Sequence, residues 1–240
     1  MRKNIAPLIV LSCFLAGCAS MGKGLSDYSP VGIVSVSAFQ DIPWYNEEGK
    51  PESSGRGDNK LAEALFGKKD DNRTSVSTAD SVIAAAEKIV LEKLSSSNIA
   101  EFAGKDIIFN SRTYKEAESN SRMERDDYIP APGYKLIDSG DKDFAAALAA
   151  ETGIKSSMFI TFDFGREMAS GLGKNGTMRG KVNMKIVIRD GAGKSIYNKT
   201  ISLNSSDKIP VSSALYDGNE LIILLETAVS DACDEFIAKL

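Results

Sequence analysis

The stretch DFAAALAAETGIKSSMFITFDFG, residues 143–165, contains the two patterns that decide the fold. Residues 143–152 place apolar side chains on one side of a helix, and Gly153 follows as a helix terminator. Residues 158–164 form a short run of mostly apolar and aromatic side chains, which is typical of a buried strand. A helix that leads directly into a buried strand predicts helices packed on a sheet.

Further along the chain, residues 181–203 predict a β-hairpin. Apolar and polar side chains alternate over residues 181–189, so one face of this strand is apolar and the other is largely basic. The turn reads Asp-Gly-Ala-Gly-Lys at 190–194, and residues 195–203 supply the partner strand. A glycine-rich link that contains GLGKNG (171–176) is expected to join the hairpin to the preceding strand.

The rest of the chain supplies further helices and strands, separated by two long loops at 40–78 and 111–142. The other expected elements are a strand at 31–38, a helix at 79–95, a short strand at 106–110 and a final helix at 220–240 capped by residues 217–220. This order predicts one α/β or α+β domain over residues 31–240. In it, helices pack on a mixed β-sheet with a C-terminal hairpin.

The amino terminus has the layout of an export signal. Arg2 and Lys3 precede an apolar stretch at 5–15, and small residues follow. This layout predicts a signal peptide over residues 1–17. The apolar stretch is too short for a membrane-spanning helix, which needs about 20 residues.

The residues at the expected cleavage site, Leu15-Ala16-Gly17-Cys18, resemble the lipobox of bacterial lipoproteins. The resemblance implies that Cys18 becomes a lipid-bearing amino terminus and that residues 18–30 form a lipidated tether. Several acyl chains hold a protein on a membrane without a spanning helix. Ala19 replaces the aspartate that signals inner-membrane retention in enterobacteria. The resemblance therefore favours the outer membrane, on its periplasmic face or at the cell surface.

The composition limits the chemistry that the chain can perform. It contains no histidine, which removes the commonest general base and metal ligand. Its acidic groupings lack the spacing of a calcium loop, and Cys233 is expected to be a small buried side chain of the final helix. We predict no metal, no cofactor and no enzymatic activity, although catalysis by carboxylates alone stays open as a third hypothesis.

Two other features bear on partners. GLGKNG matches the dinucleotide-binding pattern in its letters, but it leads into a strand where that motif needs a helix. Cleavage before Cys18 removes Arg2 and Lys3 and takes the formal net charge from −4 to −6. A mildly acidic, exported chain gives no reason to expect nucleic acid as a partner.

A basic row on the 181–189 strand is the candidate partner-binding site. Lys181, Lys185 and Arg189 lie two strand repeats apart and therefore share one face. On an acidic molecule, such a row would recognise an acidic partner or an anionic surface. A plain solubilising face is the alternative.

Residues 143–165 and 180–203 together resemble a domain of envelope proteins. A helix that ends in Thr-Gly leads to a strand, and a hairpin follows whose turn reads Asp-x-x-Gly-Lys. This arrangement is similar to the α/β domain shared by the TolB N-terminal domain, the curli-secretion lipoprotein CsgG and the penicillin-binding-protein activator lipoproteins. The resemblance implies a domain of two or three layers that binds other envelope proteins. It carries over no catalytic residue, and evident transmembrane hairpins of the CsgG type are lacking.

Two functions follow as hypotheses. In the first, the chain is a non-enzymatic, membrane-anchored lipoprotein that binds or helps to assemble envelope proteins or polymers. In the second, it is a membrane-active lipoprotein whose amphipathic helices at 79–95 and 220–240 insert into the bilayer, perturb it or assist lipid transfer. The acidic polar side of the 220–240 helix counts against the second, because helices on membrane surfaces favour Lys and Arg there.

Overall fold

The computed structural model describes residues 24–46, 48–52 and 78–240. The predicted signal peptide, Cys18 and most of the tether lie outside the described residues. Most of the predicted 40–78 loop lies outside them as well.

A mixed sheet of seven strands forms the centre of the described part of the chain. The strands are β1 (Val31–Phe39), β2 (Trp44–Tyr45), β3 (Tyr128–Pro130), β4 (Ser156–Leu172), β5 (Asn175–Asp190), β6 (Ser195–Asn204) and β7 (Ile209–Val211). The main order across the sheet is β3-β1-β4-β5-β6, with β2 beside β4 and β7 beside β5. β1 and β2 run parallel to β4, and the other pairs are antiparallel. The predicted α/β class with a mixed sheet is therefore confirmed.

Six α-helices and one 3-10 turn accompany these strands in the described ranges. The helices are α1 (Asp80–Ser96), α2 (Lys105–Phe109), α3 (Arg112–Glu116), α4 (Ser121–Arg125), α5 (Lys142–Thr152) and α6 (Gly218–Ala238), and the 3-10 turn is Leu25–Tyr28. The predicted β5–β6 hairpin is present, but β7 and α6 follow it, so the chain ends in a helix. Within the described ranges, no helix has the length and apolar character needed to span a membrane.

The helices α1 and α6 cover one face of the sheet and enclose the larger core. The apolar side chains on this face of β5 point into it and are almost completely buried: Met178, Val182, Met184, Ile186 and Ile188. Leu224 and Leu225 of α6 pack closely against Gly180. Asp217 caps α6, because its Oδ1 accepts the N–H groups of Asn219 and Glu220 at 2.8 and 3.3 Å.

The opposite face is covered by α2, α3 and α5 over only part of its length. Their apolar contacts reach Phe159 on β4 and Val187 on β5, the last members of this smaller core along those strands. Gly153 ends α5 with a left-handed φ of 76°, as the sequence predicts. Beyond Phe159 and Val187 the side chains on this face become polar, and this polar part forms the candidate site.

Three predictions about individual elements are wrong. Residues 106–109 of the expected 106–110 strand belong to α2, and the expected 111–142 loop contains α3, α4 and β3. The glycine-rich link is itself part of the sheet, because β4 and β5 extend through it to a two-residue turn at 173–174. Gly171 and Gly176 lie opposite each other with φ of 108° and 142°, so glycine permits the tight close of the hairpin.

Candidate functional site

A polar surface lies on the sheet face opposite α1 and α6, beyond the reach of α2, α3 and α5. We call it the polar face, and it consists of Tyr45, Thr161, Asp163, Glu167, Arg179, Lys181, Asn183, Lys185, Ser202 and Asn204. These side chains share a face because alternate residues of a strand point the same way. The strand register then pairs Glu167 with Arg179, and Asp163 with Asn183.

Glu167 organises one end of the polar face. Its carboxylate accepts from Lys181 Nζ at 2.9 Å and from Asn204 Nδ2 at 3.2 Å, and it pairs with Arg179 Nη2 at 3.4 Å. Lys181 is only 9% exposed. The charge of Lys181 is therefore neutralised inside the sheet surface, and the residue is not a free cation.

Tyr45 of β2 lies over the middle of the polar face. Its ring covers Gly165, where a Cβ atom would come within 2.3 Å of the ring carbon Cε2. The Lys181 Nζ lies 5.2 Å from the ring centroid, and the Tyr45 hydroxyl accepts from Asn183 Nδ2 at 3.2 Å. Burial, together with the charge of Asp163, raises the pKa of Tyr45, so this hydroxyl stays protonated at neutral pH.

Asp163 and Lys185 form the more open end. Burial raises the pKa of the Asp163 carboxyl, and the nearby charge of Lys185 opposes that shift. Lys185 is exposed, and its amine makes no hydrogen bond or ion pair with another described residue. Lys185 is therefore the cation of the predicted row that faces solvent.

Arg189 has a different environment. Its Nε donates to the carbonyl of Ser139 and its Nη1 to the carbonyl of Gly193, both at 2.6 Å. These bonds fasten the loop before α5 to the β5–β6 turn. The structure thus places Lys181, Lys185 and Arg189 on one face of β5, as predicted, but gives each a different role.

A second cluster, which sequence reasoning missed, lies near the turn of the β4–β5 hairpin. Arg166 is 8% exposed, and its Cζ lies over the rings of Trp44 and Tyr216, 5.0 and 5.6 Å from their centroids. The two rings pack edge-on against each other, with centroids 6.3 Å apart. Its Nη1 donates to the Tyr216 hydroxyl at 2.6 Å. Lys174 Nζ also lies over the Trp44 ring, 4.2 Å from its centroid. The cluster joins β2, the hairpin and the segment before α6, and only tertiary structure could bring these segments together.

A shallow cavity of about 680 Å³ lies beside α3 and α5. Five carboxylates line it: Glu116, Glu118, Asp138, Asp141 and Asp143. Three of them have local partners, because Glu116 pairs with Arg112, Asp138 accepts from the Gly140 N–H and Asp141 caps α5. Helix capping and surface ion pairs thus account for much of this acidic grouping.

Cys233 and the acidic groupings also bear on whether the chain has a reactive or metal-binding site. Cys233 is 1% exposed, so the prediction of a small buried side chain is confirmed, and burial raises the pKa of its thiol to about 12. Among residues 24–46, 48–52 and 78–240, no three or more His, Cys, Asp or Glu side chains are grouped to hold a metal ion.

No protein-family model matches the chain, and no curated protein matches it.

Proposed function

We propose that the chain is a lipid-anchored protein of the bacterial envelope that binds or helps to assemble other envelope components, without catalysing a reaction. In this proposal Cys18 carries the acyl chains, and the outer membrane is the favoured location, on its periplasmic face or at the cell surface. The lipobox at 15–18 supports the anchor. The absence of histidine from the sequence supports a binding role.

The observation that carries the binding role is the polar face. It is a rigid surface, because Glu167, Lys181 and Asn204 are linked on three neighbouring strands. At its open end Lys185 presents an amine to solvent. A fixed surface with one available cation on an otherwise acidic chain suits recognition of an acidic envelope protein or polymer.

The competing function, in which amphipathic helices enter the bilayer, receives less support. The apolar side of α6 is buried against the sheet at nine positions, including Leu221 and Leu225. Five residues of α1 are buried in the same way. Moving either helix into a membrane would first expose these side chains to water, at roughly 1.5–3 kcal/mol for each large one. Packing on the sheet therefore accounts for both apolar stripes.

The anchor is tested by labelling cells with a palmitate analogue. We expect the parent protein to take up the label and to sediment with membranes, and Cys18→Ser to lose both properties. Cys13→Ser is the matched control, because it alters a cysteine of the predicted signal peptide that processing removes. Label retained by Cys18→Ser would overturn the proposed anchor.

The binding role is tested by capture of envelope components from detergent extracts. We expect the acylated protein to retain a defined set of components, and Lys185→Glu to lose acidic members of that set. Lys115→Glu, an exposed lysine on α3, is the control that should retain them. An empty capture by the parent protein, or equal capture by both variants, would contradict a role for the polar face.

Flotation with liposomes separates the two functions. Residues 19–240, made without the acylated cysteine, should remain at the bottom of the gradient with neutral and with anionic lipid. Flotation of this unacylated protein would favour the membrane-active alternative.

A further inference from the structure

The two edges of the sheet differ in length and chemistry. The edge formed by β3 has three residues and ends at Pro130, and both features discourage the addition of another strand. The edge formed by β6 has ten residues. Within the described part of the chain, no strand pairs with the outer side of β6. Its outward N–H and C=O groups thus offer a ladder to an incoming strand.

β6 is held rigidly in position for such pairing. Nine of its residues are in register with β5, from Ser195 opposite Arg189 to Asn204 opposite Lys181. On the helix-covered side, the Tyr197 ring packs edge-on against Phe236 of α6 at 5.4 Å, and Ile201 is buried. A strand fixed from two sides loses little further freedom when a partner binds, which favours affinity.

The exposed charges on and near β6 are mainly positive, and Asp207, just before Lys208, is an exposed acidic residue among them. Lys199 is exposed near its middle, and Lys185 lies directly opposite Thr200 on the neighbouring strand. Lys194 and Lys208 are exposed just before and just after the strand. β6 itself contains no acidic residue. The register places Lys199 and Lys185 on opposite faces of the sheet, so an added strand would have Lys199 on the adjacent strand on one face and Lys185 one strand further in on the other.

A second copy of the chain is a poor occupant of this edge. Two β6 strands paired antiparallel about their centres would bring the two Lys199 side chains close together, and like charges in such positions are destabilising. Opposite charges in such cross-strand positions are favourable, so the same lysine disfavours a basic or identical strand and favours one with acidic side chains. We propose that β6 receives an extended, acidic segment of a partner protein as an added strand. This inference rests on the proposed binding function and narrows its partner to a polypeptide.

Synthetic peptides test the inference on the processed, acylated protein in detergent micelles. The probe is a Thr/Val peptide matched in length to β6, with two glutamates at its centre. One control peptide carries two lysines at these positions, and a second is N-methylated at consecutive central residues, which removes hydrogen-bond donors from both of its edges. We expect the glutamate peptide to bind at least about tenfold more tightly than the lysine peptide, and the N-methylated peptide to bind far more weakly.

Two further measurements locate the added strand. Amide hydrogen exchange should slow at alternate residues of 195–204, and Lys199→Glu should reverse the preference between the two charged peptides. Lys115→Glu should leave that preference unchanged. The inference is overturned if the peptide is not bound at millimolar concentration, if N-methylation has no effect, or if protection appears only outside β6.

The outcomes also separate this inference from the proposed function. If the glutamate peptide does not bind while capture of envelope components still depends on Lys185, the proposal of strand addition at β6 is wrong and the proposed binding function stands. If the parent protein captures nothing, the binding function falls independently of the peptide result.

Discussion

Asp163 lies half-buried on β4, and the loss of water around it raises the pKa of its carboxyl above the usual 3.8. At a pH below 3.8 the group is protonated in both the folded and the unfolded chain, so burial costs little. As the pH rises from 3.8 to the raised folded-state pKa, the unfolded chain ionises while the folded chain keeps its proton, so the free energy of unfolding falls and then stays lower. We therefore expect Asp163→Asn to increase the free energy of unfolding at neutral pH and to have little effect below pH 3.8.

Urea unfolding of both proteins at the two pH values measures this effect. Lys185→Gln provides a second check, because it removes the charge that opposes the shift. In the Lys185→Gln background, the increase in the free energy of unfolding that Asp163→Asn causes at neutral pH should then be larger. An effect of equal size at both pH values would show that burial of the charge is not its cause.

Arg189 and Lys185 share a face of β5, but they should respond differently to mutation. Arg189→Gln removes two short hydrogen bonds to backbone carbonyls, and we expect it to lower the free energy of unfolding by about 2 kcal/mol. Lys185→Gln removes an exposed amine and should change it by less than about 0.5 kcal/mol. Chemical denaturation measures both values. Similar changes in the free energy of unfolding for the two variants would mean that the hydrogen bonds of Arg189 do not stabilise the loop before α5.

The face that these residues share could be predicted from the sequence, whereas their partners could not. Strict alternation over 181–189 fixes which side chains lie together. Glu167, which neutralises Lys181, lies 14 positions away in the chain, and Tyr45 lies 138 positions from Asn183. Such pairings depend on strand order and register, and alternation within one strand carries no information about either.

Among the elements, α6 offers a direct test of local stabilisation. Its first turn relies on the Asp217 carboxylate, which accepts two backbone N–H groups. We expect Asp217→Ala to lower the free energy of unfolding by about 1 kcal/mol. Asp217→Asn should retain most of the stability, because an asparagine oxygen accepts the same bonds. Urea denaturation compares the three proteins. An equal loss for both variants would assign the effect to charge at the helix end and not to capping.

Long elements were predictable and short ones were not, for a physical reason. The helices at 80–96, 142–152 and 218–238 contain several turns, so the spacing of apolar residues identifies them. The run Asp106–Asn110 is too short to show a period, and the structure forms a helical turn there after Gly104. In the sequence, the glycines at 171–176 indicate a link, because glycine is rare inside strands. In the hairpin they occur where left-handed backbone is required.

The whole molecule has two distinct ends along β4. At its start, the Lys155 N–H donates to the Pro30 carbonyl at 2.9 Å, and Ser156 Oγ donates to the Tyr28 carbonyl at 2.9 Å. The described segment that precedes β1 therefore lies at this end of β4. At its far end, Leu172 is 88% exposed beside the hairpin turn. At about 3.3 Å per residue, the strand separates these ends by about 50 Å. Under the proposed lipid anchor, the six-residue step from Cys18 to Gly24 would reach at most roughly 20 Å.

This geometry predicts how an anchored molecule stands on its membrane. A fluorophore on Lys155→Cys should receive strong energy transfer from labelled lipid headgroups, and the same fluorophore on Leu172→Cys should receive much less. Selective labelling is feasible because Cys233 is buried and its thiol pKa is raised to about 12. The measurement uses the acylated protein in vesicles.

The contrasting outcomes have different meanings for the sheet. Equal transfer at both positions would mean that the sheet lies along the bilayer, with one of its surfaces hidden from soluble partners. Stronger transfer at Leu172 would place the exposed Leu172 and Leu215 against lipid, and would favour the membrane-active function. With transfer strongest at Lys155, the far end of the hairpin stands away from the membrane. The polar face lies mainly on β4 and β5, and the β6 edge lies beside β5. In this orientation both are open to a partner in the surrounding space.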